Sequence, residues 1–270
     1  MTVTLALATM TDAIPPAGAT LPRASDYHAL LVLGVAPGTL LLGTHQGVFR
    51  SIDGGRTWRR AGLTGDDAMN LVQTGGTVLM GGHDVFAESV DGGRTWRMLH
   101  PRGLPTLDVH GLAVDPRDPR VVYAQIAMTG LYRSTDAGRS FRLVSPDVYG
   151  MMMSVAVTPD GGLVVGDMTR GIYLSPSGKR WLHTATGMVM GLAVDPHDAS
   201  RILATGKGIA ISENGGRTWR PSLRSKAMFG PLAWSPANPN LVYAVSYDRS
   251  LWRSLDSGET WRRIVQTAPS

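Results

Sequence analysis

The sequence predicts an all-β fold in which one four-stranded unit is repeated around an axis, a β-propeller. Three observations lead there. The octapeptide Ser51-Ile-Asp-Gly-Gly-Arg-Thr-Trp58 returns along the chain with its leading serine at 51, 89, 134, 175, 212 and 254, and a period near forty with four short apolar runs suits one propeller blade. Lysine and glutamate occur three times each, against 23 arginines and 18 aspartates. Lys and Glu are good helix formers, whereas Asp favours turns and caps. Finally, 33 glycines and 17 prolines in 270 residues fit short strands joined by tight turns.

In chain order, residues 1–25 come first. Val3 to Thr9 is a short apolar run followed by a Pro/Ala/Gly-rich stretch with Ala17-Gly18-Ala19, which resembles a cleavage site, although no Lys or Arg precedes the run. The segment reads as a leader, a signal remnant or a first strand, and a periplasmic or extracellular location is expected with the cytoplasm left open. Residues 26–270 are read as a single domain of six blades, at approximately 26–62, 66–100, 107–145, 150–184, 187–222 and 227–266. A seventh blade built partly from residues 1–25 is the alternative.

Each unit divides into four strands. In the third, Gly111 to Asp115 is strand A, Val121 to Gln125 strand B, Gly130 to Ser134 strand C, and Phe141 to Val144 strand D. The pieces are rich in β-branched and aromatic residues and are separated by turn clusters. The repeated octapeptide is the C–D turn. Its Asp or Asn hydrogen-bonds the backbone ahead, its glycines take positive φ, and its Trp anchors the next strand. The other copies begin at Ser89, Ser134, Ser212 and Ser254, and a degenerate one is Ser175-Pro-Ser-Gly-Lys-Arg-Trp181.

The pattern resembles the Asp-box, or BNR (bacterial neuraminidase), repeat, S-x-D-x-G-x-T-W. That resemblance implies a propeller of the kind found in sialidases and other glycoside hydrolases, sortilin-like receptors and photosystem II assembly factors. It implies a structural role for the box and leaves function open.

Composition narrows the classes. Hydrophobic residues are 43% and charged residues 17%, with a net charge of +5. No apolar run approaches the ~20 residues of a membrane-spanning helix. Cysteine is absent, which excludes disulfides, thiolate nucleophiles and Cys-based zinc sites. The arginines are spread through the boxes (Arg56, Arg94, Arg139, Arg217) and just after them (Arg60, Arg97, Arg220, Arg262), as a basic rim without aromatic stacking platforms. Nucleic acid is therefore not an expected partner, and a monomer is expected.

The boxes mark one face of the disc, so ligands are expected at the opposite mouth, where strand A begins and the B–C loops turn. Aligned on strand A, the blades place His28, Met69, His110, Met153, Met190 and Gly230 at one register, with Asp26, Asp67, Asp108, Met151, Met188 and Met228 two residues earlier. Residues two apart share a side of a strand. The B–C loops add His45, His83 and Met128. Any single Met is ordinarily a gap filler in a core. As a set, His, Met and Asp exchanging at one register share metal ligation, and imidazoles with thioethers and no cysteine suit copper. The expected metal ligands are His28, His45, His83, His110, Met69, Met128, Met151, Met153, Met188, Met190 and Met228, with copper as Cu(I) or Cu(II), in metal handling or delivery.

Two other functions compete. A sialidase is improbable, because the three glutamates fall in strand C or the C–D turn and Pro22-Arg23-Ala24 departs from that family's Arg-Ile-Pro pattern. A glycoside hydrolase would use Asp67 and Asp108 as its acid–base pair. The third class is an interaction or assembly module with a partner protein on a propeller face, implied by the resemblance to assembly factors and receptors.

Overall fold

The computed structural model describes residues 21–265 apart from 35, 37 and 149–151. Every regular element in them is a β-strand. The first sheet is antiparallel and runs β1 (Tyr27–Val32), β2 (Leu40–Thr44), β3 (Gly47–Ser51), β4 (Arg59–Arg60). The second runs β5 (Asn70–Thr74), β6 (Thr77–Gly82), β7 (Val85–Ser89), β8 (Arg97–Met98). β9 (Val109–Val114), β10 (Val122–Ile126), β11 (Gly130–Ser134) and β12 (Arg142–Ser145) make the third. β13 (Met152–Val157), β14 (Leu163–Asp167), β15 (Gly171–Ser175) and β16 (Leu182–Ala185) make the fourth.

The last sheet has six strands: β17 (Gly191–Val194), β18 (Ile202–Ser212), β19 (Arg220–Trp234), β20 (Val242–Ser246), β21 (Ser250–Ser254) and β22 (Arg262–Val265). Six separate four-stranded blades are therefore not what forms. Four stand alone, and the residues of the expected fifth and sixth share one sheet. The reason is local. β18 and β19 carry extended backbone through Lys207 and Ser225 to Ala227, where loops were expected, and Lys207 pairs with Met228. Leader residues 1–20 lie outside the described residues. Leu21 to Ser25 hold no strand, and Leu21 is buried against the first and last sheets.

The innermost strands meet in a closed ring: β1 against β5, β5 against β9, β9 against β13, β13 against β17, β17 against β19, and β19 back on β1. Their side chains line an axial channel of ≈ 280 Å³. Second strands such as β2, β6 and β10 are buried on both faces. Packed between neighbouring sheets, they read as continuous apolar runs rather than alternation. Leu30, Leu42 and Phe49 of the first sheet pack with Ala233, Tyr243 and Leu251 of the last, so apolar burial closes the ring. The outermost strands β4, β8 and β12 are short, and their Arg59, Arg60, Arg97 and Arg142 are exposed. Charged side chains on such edges discourage pairing with another chain.

The boxes fold as the turn chemistry requires. Ser89 Oγ donates to Asp91 Oδ1 (2.8 Å) and accepts from the Gly93 N–H (2.8 Å). Asp91 Oδ1 takes the Thr95 N–H (2.9 Å) and Oδ2 the Thr95 hydroxyl (2.6 Å). The same bonds recur at Asp53, Asp136 and Asp256. In the degenerate copy Ser175 Oγ still receives the Gly178 N–H at 2.8 Å.

Candidate functional site

The turns between second and third strands, and the residues leading into each innermost strand, meet at one mouth of the channel. Backbone contacts stitch these segments together across the sheets. The Ala68 N–H donates to Thr44 O (3.0 Å), and Gly82 forms a parallel bridge with Asp108. At Gly82 a Cβ would stand 1.7 Å from Asp67 O, so only glycine permits this approach.

The stitching gathers four imidazoles and three carboxylates. His45 Nδ1 and His83 Nδ1 share Asp67 Oδ2, at 3.0 and 2.7 Å. His45 Nε2 faces Asp26 (3.4 Å), and His83 Nε2 faces Asp108 (3.5 Å). His110 Nε2 contacts the same Asp108 oxygen at 3.0 Å, and His28 Nε2 lies 3.9 Å from Asp67 Oδ1. The His28 ring meets the His45 ring edge-on at 4.3 Å between centroids, and the His83 and His110 rings meet at 5.3 Å. The side chains of His28 and His110 are 9% and 5% exposed. Both nitrogens of His28, Nδ1 of His110 and Oδ1 of Asp67 lack a hydrogen-bond partner. Burial pushes the His28 pKa below its ordinary value, outweighing the pull of Asp67, so its imidazole is neutral at pH 7.

A second feature lies on the box side, between the first two sheets. Arg50, Arg59, Arg60 and Arg94 surround a groove of ≈ 590 Å³ that also exposes Ile52. Among the described residues none of the four forms an ion pair, whereas Arg97 and Arg139 clasp Glu88, and Arg220 binds Glu213 and Glu259. The Asp53 carboxylate in the groove wall is taken up by its own box.

Residues 35–269 match the family of the photosynthesis system II assembly factor YCF48. The chain belongs to that family. No curated protein matches it. Among solved structures it is similar to YCF48 bound to D1 peptide, with 19% identity and TM-score 0.59 over 91% of this chain and 83% of that one. YCF48 from Cyanidioschyzon merolae gives 17% identity and TM-score 0.58 over 93% and 86%. The GH74 xyloglucanase from Xanthomonas campestris gives 17% and 0.62 over 91% of this chain but only 46% of that one. At these identities the likeness is one of fold. Among the described residues no helix is long and apolar enough to cross a membrane.

Within this YCF48-family chain the expected ligands separate into two groups. His28, His45, His83 and His110 converge, and the methionines do not join them as a set. Met69 is buried and lines the channel with His28 and Met190. Met128 is 71% exposed in a turn with φ +58°, and Met188 is 53% exposed, so both stand out into solvent. Met228 is half-buried on β19. Met151 lies outside the described residues, and Met153 is described only as backbone of β13. His83 sits between Asp67 and Asp108, 2.7 and 3.5 Å from them, and Asp67 is 11% exposed. Two things escape the sequence reading. Asp26 belongs with His28 and His45, a placement its register signalled, and the arginine groove is assembled from two sheets with no local motif.

Proposed function

We propose that the chain is an interaction propeller that holds an acidic protein segment in the arginine groove. The observation that carries this reading is the set Arg50, Arg59, Arg60 and Arg94, charged and without carboxylate partners beside an exposed Ile52. Guanidinium groups bind carboxylates through paired N–H donors, and an adjacent apolar side chain adds contact area. Arg50 is half-buried; burial, and then the nearby Arg94, lower its pKa, so a bound anion would relieve a strained concentration of charge. Membership of an assembly-factor family supports a protein partner, and so does the relative solved with a D1 peptide.

The test is fluorescence anisotropy with a labelled ten-residue Asp/Glu peptide. Binding should weaken steeply with salt, and by more than tenfold in Arg59→Glu/Arg60→Glu, with the exposed Arg142→Glu as the control outside the groove. Equal binding by the reversed and parent proteins would sink the reading.

We also infer that the six-stranded sheet is two blades running into one another, which gives six in all. The closed ring of six innermost strands supports this count, as does the packing of Ile209 and Ile211 of β18 against Phe229, Trp234 and Val242 of β19 and β20. Protection from hydrogen exchange that changes separately in β17–β18 and β20–β22 on mild destabilisation is the expected signature.

A further inference from the structure

At the opposite mouth the chemistry differs. Three carboxylates, Asp26, Asp67 and Asp108, stand together in a protein of net charge +5. Among the described residues no arginine or lysine pairs with any of them; their partners are imidazoles. Hydrogen bonding between these groups accounts for only part of the arrangement. The buried His28 and His110 still present nitrogens with no partner, and Asp67 Oδ1 is likewise left over.

We propose that this mouth binds two divalent first-row transition ions side by side, copper(II) or zinc, one held by Asp26, His28 and His45 and the other by His83, Asp108 and His110, with Asp67 orienting His45 and His83. Within each triad the donor atoms lie within 4.8 Å of one another. Two donors each ~2.0–2.1 Å from one ion stand roughly 3 Å apart, so small side-chain movements close each set around an ion. Asp67 Oδ2 lies 3.0 and 2.7 Å from Nδ1 of His45 and His83, whose Nε2 atoms face Asp26 and Asp108, so it fixes the orientation of one imidazole in each triad. Imidazole with carboxylate suits Cu(II), Zn(II) or Ni(II) and disfavours calcium and magnesium, and the Irving–Williams order ranks copper highest. The two positive ions replace the missing arginines as counter-charge. The exposed Met128 and Met188 take no part, so the hard and borderline donors, not the thioethers, make this site.

The experiment loads the untagged full chain with Cu(II) or Zn(II), removes loose metal by gel filtration, and counts ions by mass spectrometry. Two ions per chain are expected. His28→Gln/His45→Gln and His83→Gln/His110→Gln should each retain one, the fourfold variant none, and Met69→Leu two. Asp67→Asn should weaken retention of both ions at least tenfold. Electron paramagnetic resonance of the parent should show nitrogen hyperfine structure at one equivalent of Cu(II), and a second equivalent should add less than proportional intensity through coupling. Because variants in a buried cluster can misfold, nitrogen-15 spectra of the parent titrated with Zn(II) provide a second readout, in which the resonances of these four imidazoles should move and those of His197 should not. Fewer than two retained ions, uptake undiminished in the fourfold variant, or unmoved imidazole resonances would overturn the proposal. The acidic-peptide reading stands or falls apart from this result.

Discussion

The Asp67 carboxylate lies 2.7 Å from His83 Nδ1, although the two are 16 residues apart in the chain, one leading into β5 and the other in the turn after β6. The pair holds the mouth of this blade closed on itself. The same oxygen reaches His45 of the first sheet, so one carboxylate joins two blades. Their approach depends on Gly82. Gly82→Ala should cost ~1–3 kcal/mol, the range for overpacking a tight contact, and should shift the His83 imidazole resonances. Parent-like stability would show that the Asp67 segment yields more easily than its backbone contact suggests.

The boxes should behave as structural turns. Asp136→Ala removes acceptors for the Ser134 and Ser140 hydroxyls and for the Ser140 and Arg139 N–H groups. A loss of ~1 kcal/mol in urea unfolding is expected. Asp136→Asn should retain much of this, because Asn214 in the fifth box accepts the Thr218 N–H (2.9 Å) and donates to its hydroxyl (2.7 Å). Acidic-peptide binding should be unchanged in both.

Acid should unfold the protein partly through these turns. Burial would raise the Asp136 pKa, but hydrogen bonds from the Ser140 and Ser134 hydroxyls and the backbone hold it at about 2, against an ordinary 3.8. Asp53, Asp91 and Asp256 are lowered in the same way. A depressed carboxyl contributes stability that is whole above its unfolded pKa and is lost as pH falls through the folded one. Stability should therefore decline from pH ~4 to ~2, and the slope should flatten in Asp136→Asn. An unchanged slope would place the acid sensitivity elsewhere.

One box position carries strain that can be relieved. Ala137 has φ +56° and Ser257 φ +58°, where the other boxes place Gly54, Gly92 and Gly215. A left-handed conformation costs a residue with a Cβ ~1–2 kcal/mol, offset in part by the greater chain entropy that glycine loses on folding. Ala137→Gly should raise the melting temperature by a few degrees. A fall would mean that the left-handed turn is relaxed with alanine.

Ring closure rests on packing, so Leu251 is a sensitive point. It is fully buried and lies against Gly55 of the first box. Leu251→Ala should cost ~2–5 kcal/mol, and hydrogen exchange should quicken first in β1 and β20. Uniform loosening of all sheets would show closure to be no weaker than the other seams.

Much of this protein was decided within short stretches of sequence. Ser89, Asp91 and Gly93 bond within one turn, so their pattern specifies that turn wherever it occurs, and the apolar runs between boxes specify strands. The register shared by His28 and His110, each with an aspartate two residues before it, was also visible, since residues two apart share a side of a strand. Tertiary structure decided what no local pattern encodes. It drew His45 and His83 onto one oxygen of Asp67, left Met128 in solvent, and ran β18 and β19 together into a six-stranded sheet. It also set Arg50 and Arg94 from different sheets around one groove. Turns and strands answer to neighbours a few residues away, whereas these contacts depend on how whole sheets rotate and close around the axis.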